Sequence, residues 1–295
     1  RHATSKLADE QLVRILTLGF RGEALPSIGA AARLEITSRP HDAANASRIS
    51  VQGGAVAAVA PAAGAAGTRV VVRDLFFATP ARRKFLKSAR AEADATEAAV
   101  RRLALAAPQV AFRLESDRRV AFDLPPQPRA ARVAALLGPE AAAALLEVDG
   151  EREGMRLSGY IAAPTVHRAT AAAQALVVNG RPVADPVLRT AVRVAFRDVI
   201  QHGRHPVVAL FLDLPPEELD VNVHPAKAEV RFRDAALVRG LVIATLARTL
   251  AGGALLGNAP GVQMRAGQAS PGLRLESRPP ARHHAPAGFA EAALP

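Results

Sequence analysis

Residues 18–29 read LGFRGEALPSIG. Gly19 and Gly22 bracket Phe20-Arg21, and residues able to form a helix begin at Glu23, with Pro26 acceptable only because it falls near the first turn. A loop of this kind can aim backbone amides at an anion held at a helix N-terminus, which makes a phosphate site one reading. The other reading is an ordinary loop-to-helix junction with glycine for the turn, and GxxG alone does not choose between them. P-loop and dinucleotide-binding mechanisms are excluded, because neither GxxxxGK[ST] nor GxGxxG occurs in the chain.

Downstream of this helix the pattern changes to period two. RLEITS from Arg33, SRISVQ from Ser47 and TRVVVRD from Thr68 read as strands, with a hairpin turn at Gly53-Gly54. A long Ala-rich helix is expected over residues 92–107, then a hairpin from VAFRLES and RRVAFDL turning at Ser116-Asp117. Residues 123–132, DLPPQPRAAR, are proline-rich enough to mark a boundary. Beyond them RVAALLGPEAAAALL reads as one helix, followed by strands over residues 155–161 and 175–178 and a helix over 186–200. The strand PVVALFLDL and a closing helix over 235–250 complete the pattern. Helices and strands are mixed and much of the pairing is antiparallel, so the class is α+β. Residues 251–295 are rich in Pro and Gly and read as a disordered linker.

Composition narrows the function. The 295 residues carry 38 Lys plus Arg against 27 Asp plus Glu, a net charge of +11. That excess suits a polyanionic partner, though it also fits a merely basic surface. Only Lys6, Lys84, Lys87 and Lys227 are lysines, so a lysine retained in this Arg-rich chain points to a site wanting a compact ammonium. There is no Cys, which removes disulfides, thiolate zinc sites and Cys nucleophiles and fits a reducing cytosol. No stretch approaches a membrane span and no basic-then-apolar leader opens the chain, so a soluble, cytoplasmic protein is expected. The first residue is Arg and the opening is already patterned, so the chain is expected to be a fragment.

Three further segments bear on chemistry. HATSK sets the hydroxyls of Thr4 and Ser5 beside Lys6, which suits phosphate contact or, equally, a helix cap with a solvated lysine. DVNVHPAKAEVRF places Lys227 on a turn after a rigid His224-Pro225 step, where it can reach into a neighbouring domain or remain a surface charge. ATPARRKFLKSAR carries Arg82, Arg83, Lys84, Lys87 and Arg90 with no acid, either a nucleic-acid backbone contact or a solvated helix face with Phe85 and Leu86 turned inward. His202 and His205 have no partner at metal-ligand spacing.

In order, RHATSK, LGFRGEALPSI, Gly67-Thr68, VRDLFFATPARRKFLK, VVNGRPV and DVNVHPAKAEVRF resemble the N-terminal half of the MutL family of DNA mismatch repair ATPases, over about residues 1–250. The resemblance implies part of an α/β-sandwich ATPase domain of the gyrase B, Hsp90, histidine kinase and MutL superfamily over residues 1–128. A small α+β domain shared with gyrase B follows over 129–250, then the linker over 251–295. It implies ATP and Mg²⁺ as cofactors, with a lid and phosphate loops on Thr4, Ser5, Lys6, Gly19, Phe20, Arg21, Gly22, Glu23, Ala24 and Leu25. Thr68 matches a threonine near the adenine pocket, and Lys227 the lysine sent to the γ-phosphate. Arg181, expected to project outward from the Asn179-Gly180 turn, matches a position in a DNA-binding groove. The catalytic Glu, the magnesium-holding Asn and the adenine-recognising Asp are implied to precede the segment matching Arg1, so this chain alone is expected to be inactive.

The resemblance further implies sequence-independent DNA binding, a MutS-type mismatch recognition partner, a downstream nuclease or helicase, and a homodimer in the intact protein. Two rival readings remain at this point. A gyrase-B-like topoisomerase ATPase shares the fold, but its second domain offers Gln-Thr-Lys, a tripeptide absent here. A basic nucleic-acid binder without nucleotide chemistry explains the charge but not the loop at residues 19–25.

Overall fold

The computed structural model describes residues 22–221 and 230–255. Its first part is a short helix on an antiparallel sheet. Helix α1 (Ala24–Ala31) passes directly into β1 (Arg33–Arg39), which is flanked by β2 (Ala46–Gln52) on one side. β3 (Ala55–Val56) and β4 (Ala60–Ala62) both pair with β2, and β5 (Gly67–Arg73) pairs with the other side of β1. Gly53 and Gly54, both at positive φ, make the tight turn between β2 and β3.

Register fixes the faces. Leu34, Ile36 and Ser38 lie opposite Val51, Ile49 and Ser47 on one side and opposite Val72, Val70 and Thr68 on the other. Cross-strand partners share a face, so this face is apolar at one end and hydroxylic at the other. Helix α1 covers the apolar end, because Gly29 sits where an added Cβ would meet Val51 at 2.7 Å and Leu34 at 3.5 Å. Val70 and Val72 on the same face are 49% and 43% exposed.

A connecting layer follows. Helix α2 (Pro80–Arg83) is one turn, and α3 (Ala89–Ala106) begins at Ser88, whose Oγ accepts from the Ala91 N–H. The expected helix thus starts three residues early, because Ser88 supplies a cap that the Ala-rich run alone does not reveal. Strands β6 (Phe112–Ser116) and β7 (Arg119–Leu124) form a hairpin, turning through Asp117 and Arg118, both at positive φ. The turn is displaced by one residue from Ser116-Asp117.

The second sheet has the order β12-β11-β14-β9-β8. Helix α4 (Arg129–Leu137) and the one-turn α5 (Pro139–Ala142) precede β8 (Leu145–Arg152) and β9 (Met155–Ala162). The single helix expected over residues 132–146 is therefore broken at Gly138, which takes φ 89° ahead of Pro139. The short β10 (His167–Arg168) leads into β11 (Gln174–Val178) and β12 (Arg181–Val183). Helix α6 (Pro186–Phe196) follows, shorter than expected, then β13 (His205–Pro206) and β14 (Val208–Asp213), which runs parallel to β11. β15 (Leu219–Asp220) pairs with β16 (Arg231–Phe232) before the closing helix α7 (Ala235–Leu255).

Both faces of the central strands are buried, as the unbroken apolar run of β14 requires. Val208, Leu210 and Leu212 join Leu176 and Val178 in a core with α6 and α7, while Ala209, Phe211 and Val177 pack with Leu105 of α3 and Val133 of α4. Helix α7 is long and apolar enough, by length and composition, to cross a membrane, contrary to the sequence expectation. Its Val238, Leu241, Val242, Leu246 and Leu250 nevertheless pack into the sheet core. It also runs past residue 250, so the first residues assigned to the linker are helical.

Candidate functional site

The described part of the loop at residues 19–25 is its helical entry. Gly22 adopts φ 63°, a conformation costly for other residues, and the chain then turns into α1. Glu23 occupies the N-cap position without a side-chain capping bond, and no acidic residue stands in the first turn. Ala24 and Leu25 are the first helical residues, with Leu25 45% exposed. An uncapped helix start behind a left-handed glycine presents amide donors and the positive end of the helix dipole, which fits a phosphate group.

Thr68 lies on the sheet face that α1 covers, where its Oγ1 is 2.8 Å from the Ser38 Oγ in an exposed hydroxyl pair. The structure therefore brings Gly22, Glu23, Ala24, Leu25 and Thr68 to one side of one sheet. Thr4, Ser5, Lys6, Gly19, Phe20, Arg21 and Lys227 lie outside the described residues. No group of three or more His, Cys, Asp or Glu able to hold a metal occurs among the described residues.

Arg181 differs from expectation. The Asn179-Gly180 turn is present, both residues at positive φ, and it is clamped because Leu214 N–H donates to Asn179 Oδ1 while Asn179 Nδ2 donates to the Leu214 carbonyl, each at 2.9 Å. Yet Arg181 pairs with Val178 and shares its face with Val183, so its side chain enters the α6/α7 side of the sheet. It is 8% exposed, and burial lowers its pKa. The outward projection is corrected by strand parity: the residue after a two-residue turn returns to the face of its partner.

The basic segment also departs from one of its two readings. Phe85 is 85% exposed, and Leu86 37%, so neither is turned into the core. Arg82, Arg83, Lys84, Lys87 and Arg90 are all exposed and form no ion pair among the described residues.

Sequence reasoning missed Arg132. It is fully buried on α4, and its guanidinium donates to four carbonyls: Ala104 at 2.8 Å, Pro108 at 3.0 Å, Val110 at 2.9 Å and Pro125 at 2.7 Å. Burial lowers its pKa, and the Phe112 ring lies 5.8 Å from the guanidinium carbon. The proline-rich stretch is thereby pinned to the end of α3 and to the hairpin, with Gln127 N–H also donating to the Pro108 carbonyl. One buried Arg among many leaves no signal in sequence.

Comparison with known proteins decides the family. A protein from Acidiphilium cryptum named DNA mismatch repair protein MutL is 56% identical over 294 residues, covering 100% of this chain and 50% of that protein. This chain belongs to the MutL family. The Azorhizobium caulinodans MutL is 58% identical over 256 residues, covering 85% of the chain and 41% of its own length. The family model described as DNA mismatch repair protein, C-terminal domain, matches residues 133–251, the second sheet with its helices. Among solved structures, an N-terminal domain of a DNA repair protein superposes with a TM-score of 0.70 at 23% identity, covering 81% of this chain and 78% of its own, which bears on fold alone. The Aquifex aeolicus MutL ATPase domain complexed with ADP matches with a TM-score of 0.56 at 25% identity, covering 75% and 76%. The fold is thus that of MutL ATPase domains, an α+β architecture, and the chain spans about half the length of the curated MutL relatives it matches.

Proposed function

We propose that this chain is the part of an ATP-dependent mismatch repair coordinator that contacts nucleotide phosphates and engages DNA, linking mismatch recognition to strand processing. The observation that carries the reading is the identity above 50% to MutL proteins across the chain. The uncapped start of α1 behind Gly22, on the same sheet face as Thr68, supports a phosphate-binding role for Gly22, Glu23, Ala24 and Leu25. With nucleotide bound, Thr4, Ser5, Lys6, Gly19, Phe20 and Arg21 complete the lid and phosphate loops, and Lys227 opposes charge developing at the γ-phosphate. Mg²⁺ and the water-activating Glu belong to sequence beyond this chain. The chain alone therefore binds nucleotide weakly and does not hydrolyse it.

DNA binding is sequence-independent and rests on the exposed segment Arg82, Arg83, Lys84, Lys87 and Arg90, because phosphate contacts position a protein without reading bases. The working division is residues 1–128, 129–250 and 251–295, and the family match beginning at residue 133 favours the first boundary. In the intact, cytoplasmic protein the partners are a second copy, a MutS-type recognition protein and a downstream nuclease or helicase.

Calorimetry and phosphate release on the chain and on a MutL-length version test the nucleotide reading. Hydrolysis is expected only in the longer protein, and Lys227→Ala there should lower kcat by about 10²–10³ with a smaller change in ATP affinity. Micromolar ATP affinity of the 295-residue chain by itself, or an unchanged kcat in the variant, would overturn the assignment.

A further inference from the structure

A cleft with no assigned role lies away from the α1 site. It is a cleft of about 610 Å³ between α3, the C-terminal end of α4, residues 168–175 and the start of α6, within the range of functional binding pockets. One face of α3 forms its long wall, with Asp94, Ala98, Arg101 and Leu105 recurring at three- and four-residue spacing, which spans about 16 Å. Its floor is apolar and made largely of small side chains, among them Ala173 and Ala175, with Leu136 and Val183.

Charge on the rim is uneven. Arg101 is held by Glu97 at 2.8 Å, and Arg168 by Glu140 at 3.0 Å. Arg102 on α3 and Arg189 on α6 are exposed, face the same cleft from opposite walls and have no carboxylate partner among the described residues. Asp94 stands towards the N-terminal end of the α3 wall, so the cationic excess is concentrated at the Arg102 end.

We propose that this cleft docks an acidic amphipathic helix from a partner protein, about three turns long, and that the assignment is independent of the nucleotide reading. The length follows from the α3 wall. The alanine floor leaves sockets for large apolar side chains at i, i+3, i+4 and i+7, the groove mode of helix recognition. Arg102 selects Glu or Asp at one end of that helix, Arg189 offers a second cation from the α6 wall, and Asp94 disfavours acid at the other end of the α3 wall, which sets its direction. A helix is preferred to an added strand because the sheet edge nearest the cleft, β12, is only three residues long.

A phage-displayed library of random 16-residue peptides selected on the 295-residue chain is the test, followed by fluorescence anisotropy on enriched peptides. Enriched sequences should carry apolar residues at helical spacing with acid clustered at one end. Arg102→Glu with Arg189→Glu should weaken them about tenfold or more. Arg193→Glu, an equal charge change on the exposed part of α6 outside the cleft, should leave affinity unchanged. Circular dichroism of both variants confirms that they fold. No enrichment, enriched peptides without acid, or peptides whose affinity survives the paired substitution would overturn the proposal. So would a 20-base-pair duplex losing as much affinity as the peptides in the paired variant, since the rim would then be a phosphate surface.

Discussion

Replacing Arg132 with Met should cost more stability than any other single surface or helix-face change in this chain. Met retains most of the apolar stem and removes every donor, so the carbonyls of Ala104, Pro108, Val110 and Pro125 lose their partner in a buried setting. A hydrogen bond to a charged group contributes about 1.5–3 kcal/mol, so four would total well above 5 kcal/mol if they simply added. They do not add. The guanidinium is desolvated, as its lowered pKa registers, its Nε has no acceptor, and removing the charge recovers part of that penalty. A net loss of about 3–5 kcal/mol follows, the range found when one partner of a buried ionic contact is deleted. For a domain of this size that corresponds to a fall in Tm of roughly 6–20 °C. Arg132→Lys should recover less than half, because a single ammonium cannot reach four carbonyls arranged around a planar fork. Arg129→Met is the contrast: that side chain is exposed over the Phe211 ring at 4.2 Å, and about 1 kcal/mol or less is at stake. Thermal denaturation followed by circular dichroism measures the losses, and hydrogen exchange should locate the Arg132→Met effect in residues 107–127. A shift under about 2 °C for Arg132→Met, or one no larger than that of Arg129→Met, would refute the reasoning.

Tyr160 is the only Tyr and there is no Trp, so absorbance at 295 nm titrates it alone; desolvation, then Glu147, raise its pKa above the ordinary value of 10.0, and Arg129 opposes them. The folded midpoint should lie above that of the chain in denaturant, and the stability linked to the neutral phenol, fully present below pH 10, should fall as pH rises through the folded pKa. A folded midpoint equal to or below the denatured one contradicts this. Arg82→Glu with Lys87→Glu should weaken binding to duplexes of any sequence and flatten the log–log salt dependence by about one unit per lost contact, measured by filter binding. Arg181→Glu should instead lower Tm, since it places a carboxylate where a buried guanidinium now sits; a fully stable variant with reduced DNA affinity would restore its groove role. Gly29→Val should displace α1 at a cost of about 1–3 kcal/mol, because Val51 already occupies the space a Cβ needs, and urea denaturation reads the loss.

What could be read in advance, and what could not, follows from the range over which each signal acts. Strands β1, β2, β5 and β14 were legible because alternation, or an unbroken apolar run between turn residues, is local. Strand β8 was not legible: the helix expected over residues 132–146 took in its first two residues, Leu145 and Leu146, because an Ala-rich run favours a helix, although Gly138-Pro139 marked the break and Glu147 and Asp149 alternate with Leu146 and Val148. Arg181 shows a subtler limit. Its turn was read correctly, but the direction of its side chain depends on which face of β12 meets α6 and α7, a tertiary fact. Val183, two residues on and apolar, was the available clue, since both must share a face. The loop at residues 19–25 stood out because glycine before a helix is a short-range pattern with few physical explanations. The pin at Arg132 and the cleft walled by Arg102 and Arg189 had no such pattern, as each is assembled from segments separated by tens of residues. In a chain with 34 arginines, residue type alone cannot tell a buried guanidinium from a solvated one; only the acceptors around it do, and here they place Arg132 in the scaffold and leave Arg102 and Arg189 open to a ligand.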